Sequence, residues 1–429
     1  MNVTPILQGP AGIPVALPPA PRPQVVVFAF DYGPEHAGSR IRSIGSMDLQ
    51  RGERALQLSE HMGILGGPDA GAPGCPALLQ QVTQPADQAT LLSFHTKTYM
   101  RALQKQRMSE RFNPEDYQWE PDTTPLFRHV GLVAACAISA AAALLTGAAD
   151  IAVFFQGGLH HGKPDALVGF CPTNDIVFAI NRLRQAKERV MYVDIDVHQG
   201  DGVEAQYLND CSVLTISFHH EPVPGTDDKG FYPGLQRNPN TRDMGCGYKK
   251  HKTINVPFSR GTGDAGFVHV FNSVIRAAFD NFKPGAVVMQ CGCDSLQGDA
   301  LAERLLLTIR GHSACTKVVR DLCLAAAVPL LVTGGGGYTP WLAARCWAHT
   351  LAVLVGNTAA AQAVPASALQ DADLAAYLTP THHTGLPSDL LAGCSPNDMF
   401  LDGFSAPPSA QVETSERLVA IVIKNINAR

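Results

Sequence analysis

Residues 190–202 read VMYVDIDVHQGDG, and this stretch bears on both the fold and the chemistry expected of the chain. Val190, Met191, Tyr192 and Val193 are apolar, β-branched or aromatic, the composition of a short buried strand. Its C-terminal end turns acidic, with Asp194, Asp196, His198 and Asp201 in close succession. In an extended chain alternate side chains share a face, so Asp194, Asp196 and His198 project together. Carboxylate and imidazole groups two residues apart on one face make half of a metal site. Taken alone, the pattern is more often an ordinary strand end running into a polar loop.

Outward from this stretch, apolar runs alternate with helical patterns. Strands are expected at 25–30, 151–155, 190–193, 213–218, 286–290 and 330–333. Helical spacing appears at 95–106, 130–149, from a Thr173 or Asn174 cap to Leu183, and at 203–207. Further helices are expected from Gly263 or Asp264 to about 281, at 303–327, and after Thr339-Pro340, a good N-cap and N1 pair. This alternation predicts an α/β domain with a parallel sheet covered on both faces. Residues 1–23, rich in Pro and Gly, read as a disordered tail, leaving 24–429 as one domain. The stretch 110–125 reads as a long surface loop, and 418–423 as a final helix or strand.

Composition narrows the function classes. The 429 residues are 45% hydrophobic with a net charge of −5, enough for a large core and without the basic balance of a nucleic-acid binder. Eleven cysteines contain no CxxC pair, which predicts reduced thiols packed as small hydrophobes. The apolar stretch 130–149 reads as a buried helix rather than a membrane span, and no secretory signal is recognisable. The expected location is the nucleus or the cytoplasm, or both.

The polar clusters fall just past predicted strands: Gly157-Gly158-Leu159-His160-His161, 194–201, His219-His220, Cys293-Asp294, and Gly334 to Gly337 with Tyr338. In open α/β sheets the ligand crevice lies outside the carboxyl ends of the strands. Singly the clusters are weak. A His-His pair after Gly-Gly is more often a polar loop, Asp294 fits a structural N-cap, and Cys291 and Cys293 read better as packing groups than as ligands. The four glycines match neither GxGxxG nor GxxxxGK[ST], which disfavours a nucleotide; they would let backbone approach a substrate closely, with the Tyr338 hydroxyl at its edge.

Assembled in order, these motifs resemble the zinc-dependent histone deacetylases, class I most closely. They are GGLHH (157–161), GFC (169–171), ND (174–175), DIDVHxGDG (194–202), SFH (217–219), QCGxDSLxGD (290–299), GGGGYT (334–339) and ARCW (344–347). The resemblance implies a single arginase-like α/β domain with a mostly parallel eight-stranded sheet. It puts zinc on Asp196, His198 and Asp294, with zinc-bound water as the nucleophile on the acetyl amide of acetyl-lysine. His161 is then the general base and acid, and His160 holds the water and stabilises charge. Asp194 and Asp201 back His160 and His161, and Tyr338 stabilises the oxyanion. Gly169, Phe170 and Leu301 would line the substrate tunnel and its rim, and Asp122 would grip substrate backbone. Potassium would bind near Asp194, Asp196, His198, Ser217 and Phe218.

The departures from the family pattern matter too. Gln199 stands where a second histidine is usual, and either Tyr232 or Val223 takes the opposite tunnel wall, normally a Phe before Pro-Gly. Arg40 is a match for an arginine lining the inner cavity. Arg260 matches one arginine of a basic inositol-phosphate pocket, but Trp341 replaces another, so weak or absent regulation by inositol phosphates is expected. The implied partners are acetylated lysine peptides or histone tails and corepressor subunits, with no direct nucleic acid and no membrane. Two other functions stay open: deacylation of small amines such as acetylpolyamines, and a non-catalytic corepressor scaffold.

Overall fold

The computed structural model describes residues 25–30, 43–66, 76–105, 107–114, 126–221, 231–233, 253–301, 304–379 and 419–420. The elements run β1 (Val25–Phe30), β2 (Ser43–Ile44), β3 (Met47–Asp48), α1 (Arg51–His61), β4 (Leu65–Gly66), β5 (Ala77–Val82), α2 (Gln88–Leu91), α3 (Lys97–Gln104) and α4 (Leu126–Thr146). Then come β6 (Ile151–Phe154), α5 (Asp175–Leu183), β7 (Val190–Asp194), α6 (Asp201–Tyr207), β8 (Val213–His220), β9 (Thr253–Phe258) and α7 (Asp264–Phe282). The rest are β10 (Ala286–Gln290), α8 (Ile309–Ala325), β11 (Leu330–Thr333), α9 (Pro340–Val355), α10 (Ala366–Gln370) and α11 (Ala372–Leu378).

Among the described residues, nine strands make one sheet in the order β4-β5-β1-β6-β11-β10-β7-β8-β9. Its pairings are parallel throughout, as the βαβ alternation requires. The count exceeds the expected eight by one; β4, only two residues long, sits at one edge. Alternating side chains of the central strands feed two cores. Met191 and Val193 join α1, α7, α8 and α9 on one face, while Val190 and Tyr192 join α3, α4 and α5 on the other. Each such buried aliphatic side chain contributes about 1.5–3 kcal/mol. Helix α4 is the one helix among the described residues long and apolar enough to cross a membrane. Its Val130, Val133, Ala134, Ala137 and Ala141 instead pack in the second core.

Several boundaries differ from the sequence reading. The helix expected from 303 begins at Ile309, because Thr308 is its cap and is itself held by Asp264, whose Oδ1 and Oδ2 accept from Thr308 N (2.8 Å) and Oγ1 (2.6 Å). His219 and His220 lie inside β8 rather than after it, since β9 pairs with both. Strand β9 carries Pro257 at the sheet edge, where no ladder partner is needed on its outer side. Asn174, not Thr173, caps α5, its Oδ1 accepting from Val177 N at 3.2 Å. Thr339 precedes Pro340 as expected, but its hydroxyl donates to the Gly298 carbonyl (3.0 Å) instead of capping α9. The expected tail at 1–23 and most of the 110–125 loop lie outside the described residues.

Candidate metal centre and active site

Strands β6, β11, β10 and β7 are neighbours in the sheet, and their last residues align in one row: Phe154 with Thr333, Thr333 with Gln290, Gln290 with Asp194. The loops leaving these four parallel strands therefore emerge side by side. They carry His160 and His161, Tyr338, Asp294, and Asp196 with His198.

Asp196, His198 and Asp294 are buried, and one donor atom of each lies within 4.8 Å of the others. His198 Nδ1 is 3.1 Å from Asp196 Oδ1 and 3.0 Å from Asp294 Oδ2. Two carboxylates converging on one imidazole nitrogen, away from water, create a strong demand for positive charge. Burial lowers the His198 basicity, yet the two carboxylates outweigh it and raise the ring to about 10. Burial and the neighbouring Asp196 push Asp294 up to about 7. An all-oxygen-and-imidazole set of three fits a zinc ion with open coordination positions, as a catalytic site needs. Gln290 Nε2 and Gly336 N–H donate to Asp196 Oδ2 at 2.9 and 2.7 Å, and Val197 N–H donates to Asp294 Oδ1 at 2.9 Å. These bonds aim the carboxylates. Gly336 is required by close approach, since a Cβ there would stand 2.1 Å from Asp294 Oδ2.

The paired histidines sit beside this centre. Their rings are 3.9 Å apart, and His160 Nε2 lies 3.7 Å from Asp196 Oδ2. His160 Nδ1 is 2.8 Å from Asp194 Oδ2, and His161 Nδ1 is 2.7 Å from Asp201 Oδ1. With Nδ1 engaged on a carboxylate, each neutral ring keeps its proton there and leaves Nε2 free. Burial lowers the His160 basicity, but Asp196 and Asp194 more than offset it and raise the ring to about 9. Burial, helped by neighbouring His160, holds His161 down at about 3 despite Asp201. The pair thus has one ring drawn to a proton and one held neutral.

Helix α5 shapes the loop that carries both rings. Asp175 accepts from Gly158 N (2.9 Å) and Leu159 N (2.8 Å), while Asn174 Nδ2 donates to the carbonyls of His160 and Gly162, both at 3.2 Å. The roles of Asp175 and Asn174 were visible in sequence only as a motif.

The walls are aromatic. Phe170 takes a positive φ of 60°, and its ring lies 5.6 Å from that of Tyr338. Gly169, at φ 55°, passes so close to His161 that a Cβ would meet its Cδ2 at 2.3 Å. Tyr232 packs edge-on to His161 (4.7 Å), and Phe231 stacks on His198 (4.8 Å, 7°). Tyr232 therefore faces the site; the alternative wall residue, Val223, lies outside the described residues, as do Asp122 and Arg40. Tyr338 is half-buried with its ring 6.4 Å from His198, and burial keeps its phenol well above the usual range. Leu301 is exposed. Asp299 joins the two, accepting from Leu301 N (3.1 Å) and from Tyr338 N (2.6 Å). Of the potassium set, Asp194 and Ser217 are register partners across β7 and β8, Phe218 follows in β8, and Ser217 Oγ lies 3.0 Å from His219 Nδ1. Cys291 and Cys293 are buried packing groups outside the candidate metal triad.

Arg51 contributes without any local signal in the sequence. It stands at the start of α1, is buried and donates to the carbonyls of Gly335 (2.6 Å) and Gly337 from its two terminal nitrogens. Its guanidinium also lies over Trp347 at 5.2 Å.

Fold and site together define an α/β protein whose strand ends converge on a candidate metal centre backed by two His-Asp pairs. The histone deacetylase domain model matches residues 54–354. The chain is 37% identical over 341 residues to histone deacetylase 2 of Oryza sativa subsp. japonica, covering 76% of this chain and 61% of that protein. It is 38% identical over 280 residues to histone deacetylase 1 of Homo sapiens, covering 62% and 54%, and 36% identical over 286 residues to type-1 histone deacetylase 1 of Dictyostelium discoideum, covering 63% and 53%. The matches thus span little more than half of the length of these relatives. The chain belongs to the histone deacetylase family.

Proposed function

We propose that the chain is a zinc-dependent hydrolase that removes the acetyl group from N6-acetyl-lysine in histone tails or other proteins. The observation that carries the reading is the meeting of Asp196, His198 and Asp294 beside two imidazoles, each backed by a carboxylate at 2.7–2.8 Å. Zinc held by Asp196, His198 and Asp294 supplies Lewis-acid polarisation of the amide carbonyl and activation of water.

The remaining work falls to the chain's own residues. His161, neutral and with Nε2 free, takes the proton of the attacking water and returns it to the leaving lysine amine. His160, drawn to a proton by Asp194 and Asp196, holds the water and balances charge. The Tyr338 phenol stays protonated and donates its hydrogen to the developing oxyanion. Phe170 and Tyr232 enclose the aliphatic stem of the substrate, with the Gly169 carbonyl along the way and Leu301 at the rim. Asp122 is the proposed grip on substrate backbone. A potassium ion near Asp194, Asp196, His198, Ser217 and Phe218 belongs to the same reading, supported by the Asp194–Ser217 pairing. Acetylated tails and corepressor subunits are the proposed partners, in the nucleus or the cytoplasm.

The test is acetate release from an acetyl-lysine peptide by the zinc-loaded protein, with an acetylpolyamine run in parallel. Turnover of the peptide that is blocked by a hydroxamate and abolished in His161→Ala and Tyr338→Phe supports the reading. Turnover of the polyamine alone would move the substrate class to small amines. Zinc binding with no turnover of either would leave a scaffold.

A further inference from the structure

The two His-Asp pairs are not equivalent behind their carboxylates. Asp194, which backs His160, accepts its other hydrogen bonds from neutral donors: the Tyr192 hydroxyl on Oδ2 at 2.5 Å and the Asp196 N–H on Oδ1 at 3.1 Å. Asp201, which backs His161, gives Oδ1 to the imidazole and Oδ2 to the Lys163 ammonium. Lys163 lies two residues past His161 in the same loop, and a backbone bond from its N–H to the Ala166 carbonyl (3.3 Å) turns the chain there. Its side chain and that of Asp201 are each about a quarter exposed, 27% and 24%, whereas His161 is buried. The ion pair therefore closes the outer, solvent side of the pair.

We infer that Lys163 is a positioning residue for the proposed deacetylation: by taking the outer oxygen of Asp201, it fixes that carboxylate's rotation and commits the inner oxygen to His161 Nδ1. Without the ammonium, the partly exposed Asp201 carboxylate is free to turn towards water. His161 then loses the acceptor that keeps its proton on Nδ1 and its Nε2 open. The Asp194 pair needs no such clamp, because it is fully buried and held by Tyr192. This inference rests on the reading of His161 as the base.

The experiment compares wild type, Lys163→Met and Lys163→Arg in the zinc-loaded full chain. Two readouts are used: steady-state turnover of an acetyl-lysine peptide, and ¹⁵N-histidine NMR with the His161 signals assigned by their loss in His161→Asn. Lys163→Met should lower kcat about tenfold, the scale of losing such an outer partner, with KM within about twofold of wild type. It should also shift the His161 Nδ1–H signal, while Lys163→Arg keeps both near wild type. Unchanged kcat and unchanged His161 signals in Lys163→Met would overturn the inference, as would equal losses in Met and Arg variants. If the wild type proves inactive on the peptide, the proposed function fails, and the NMR comparison still decides the part played by Lys163.

Discussion

Arg51 Nη2 donates to the Gly335 carbonyl at 2.6 Å, joining the first turn of α1 to a loop 284 residues later. A second bond to Gly337 makes a two-pronged grip just ahead of Tyr338. The loop has four consecutive glycines and no side chains to hold it, so its conformation depends on such external contacts. Arg51→Met should leave two buried carbonyls without this partner and cost about 2 kcal/mol of stability. Activity should fall further than stability explains, because Tyr338 loses its anchor. Arg51→Lys, which keeps the charge but not the planar fork, should recover only part of either. Urea unfolding and kcat on an acetyl-lysine peptide, measured together, check this. Unaltered kcat in Arg51→Met would show that the grip is not needed.

A second prediction concerns acid stability. His95 is buried against Phe94, Tyr99 and Phe178, with Nε2 2.8 Å from Thr173 Oγ1 and Nδ1 3.2 Å from the Pro164 carbonyl. Burial lowers its pKa from 6.5 to about 4. Between those values the unfolded chain binds a proton that the folded chain refuses, so this contribution is intact above pH 6.5 and lost as pH falls towards 4. The full loss is up to about 3 kcal/mol. Urea midpoints of wild type and His95→Gln, taken at neutral pH and near pH 4.5, should converge as the pH falls. Parallel curves would refute the assignment.

The proposed metal and proton-transfer residues that were legible in sequence follow closely on a strand end, whereas Gly169, Phe170 and Tyr232 were legible only through their motifs. The 151–155, 190–193, 286–290 and 330–333 runs are buried on both faces, so their apolar composition announces them, and the polar residue that follows is conspicuous. Strand β5, ALLQQV, and strand β9, with Pro257 in it, lack that uniform composition and passed unnoticed. Arg51 and Lys163 were missed for a different reason, and Asp299 was visible only as the end of the 290–299 motif, without its role. Each acts through a backbone or carboxylate partner far away in sequence, and no spacing rule links residue 51 to 335, 163 to 201, or 299 to 338.

The tunnel wall gives a third prediction. Tyr232 packs edge-on against His161 with ring centroids 4.7 Å apart, so it contacts the proposed base as well as being the proposed tunnel wall. Tyr232→Ala should open the wall and raise KM for an acetyl-lysine peptide while admitting bulkier acyl groups. Tyr232→Phe keeps the packing area and should hold KM for the acetylated peptide within about threefold, less than 1 kcal/mol. Competition between acetylated and longer acylated peptides measures both effects. Equal preference in the Ala variant and wild type would remove Tyr232 from the tunnel.

Gly336 gives the sharpest test of the proposed metal centre, because it touches the proposed ligands without being one. Its N–H donates to Asp196 Oδ2 at 2.7 Å, and a Cβ at this position would stand 2.1 Å from Asp294 Oδ2 and 2.8 Å from Asp196 Oδ2. A methyl group there cannot coexist with both carboxylates as they stand, so either the loop backs away or the two acids part. Each outcome spoils a three-donor set whose atoms must stay close together, yet neither removes a charge or a hydrogen-bonding group from the chain. Gly336→Ala should therefore bind zinc at least about tenfold more weakly, with a stability loss within the range of ordinary overpacking, about 1–3 kcal/mol. Zinc content after dialysis against a weak chelator, read beside thermal unfolding, separates the two effects. Stoichiometric zinc in a folded Gly336→Ala protein would mean that the ion is not held by Asp196 and Asp294 in this arrangement.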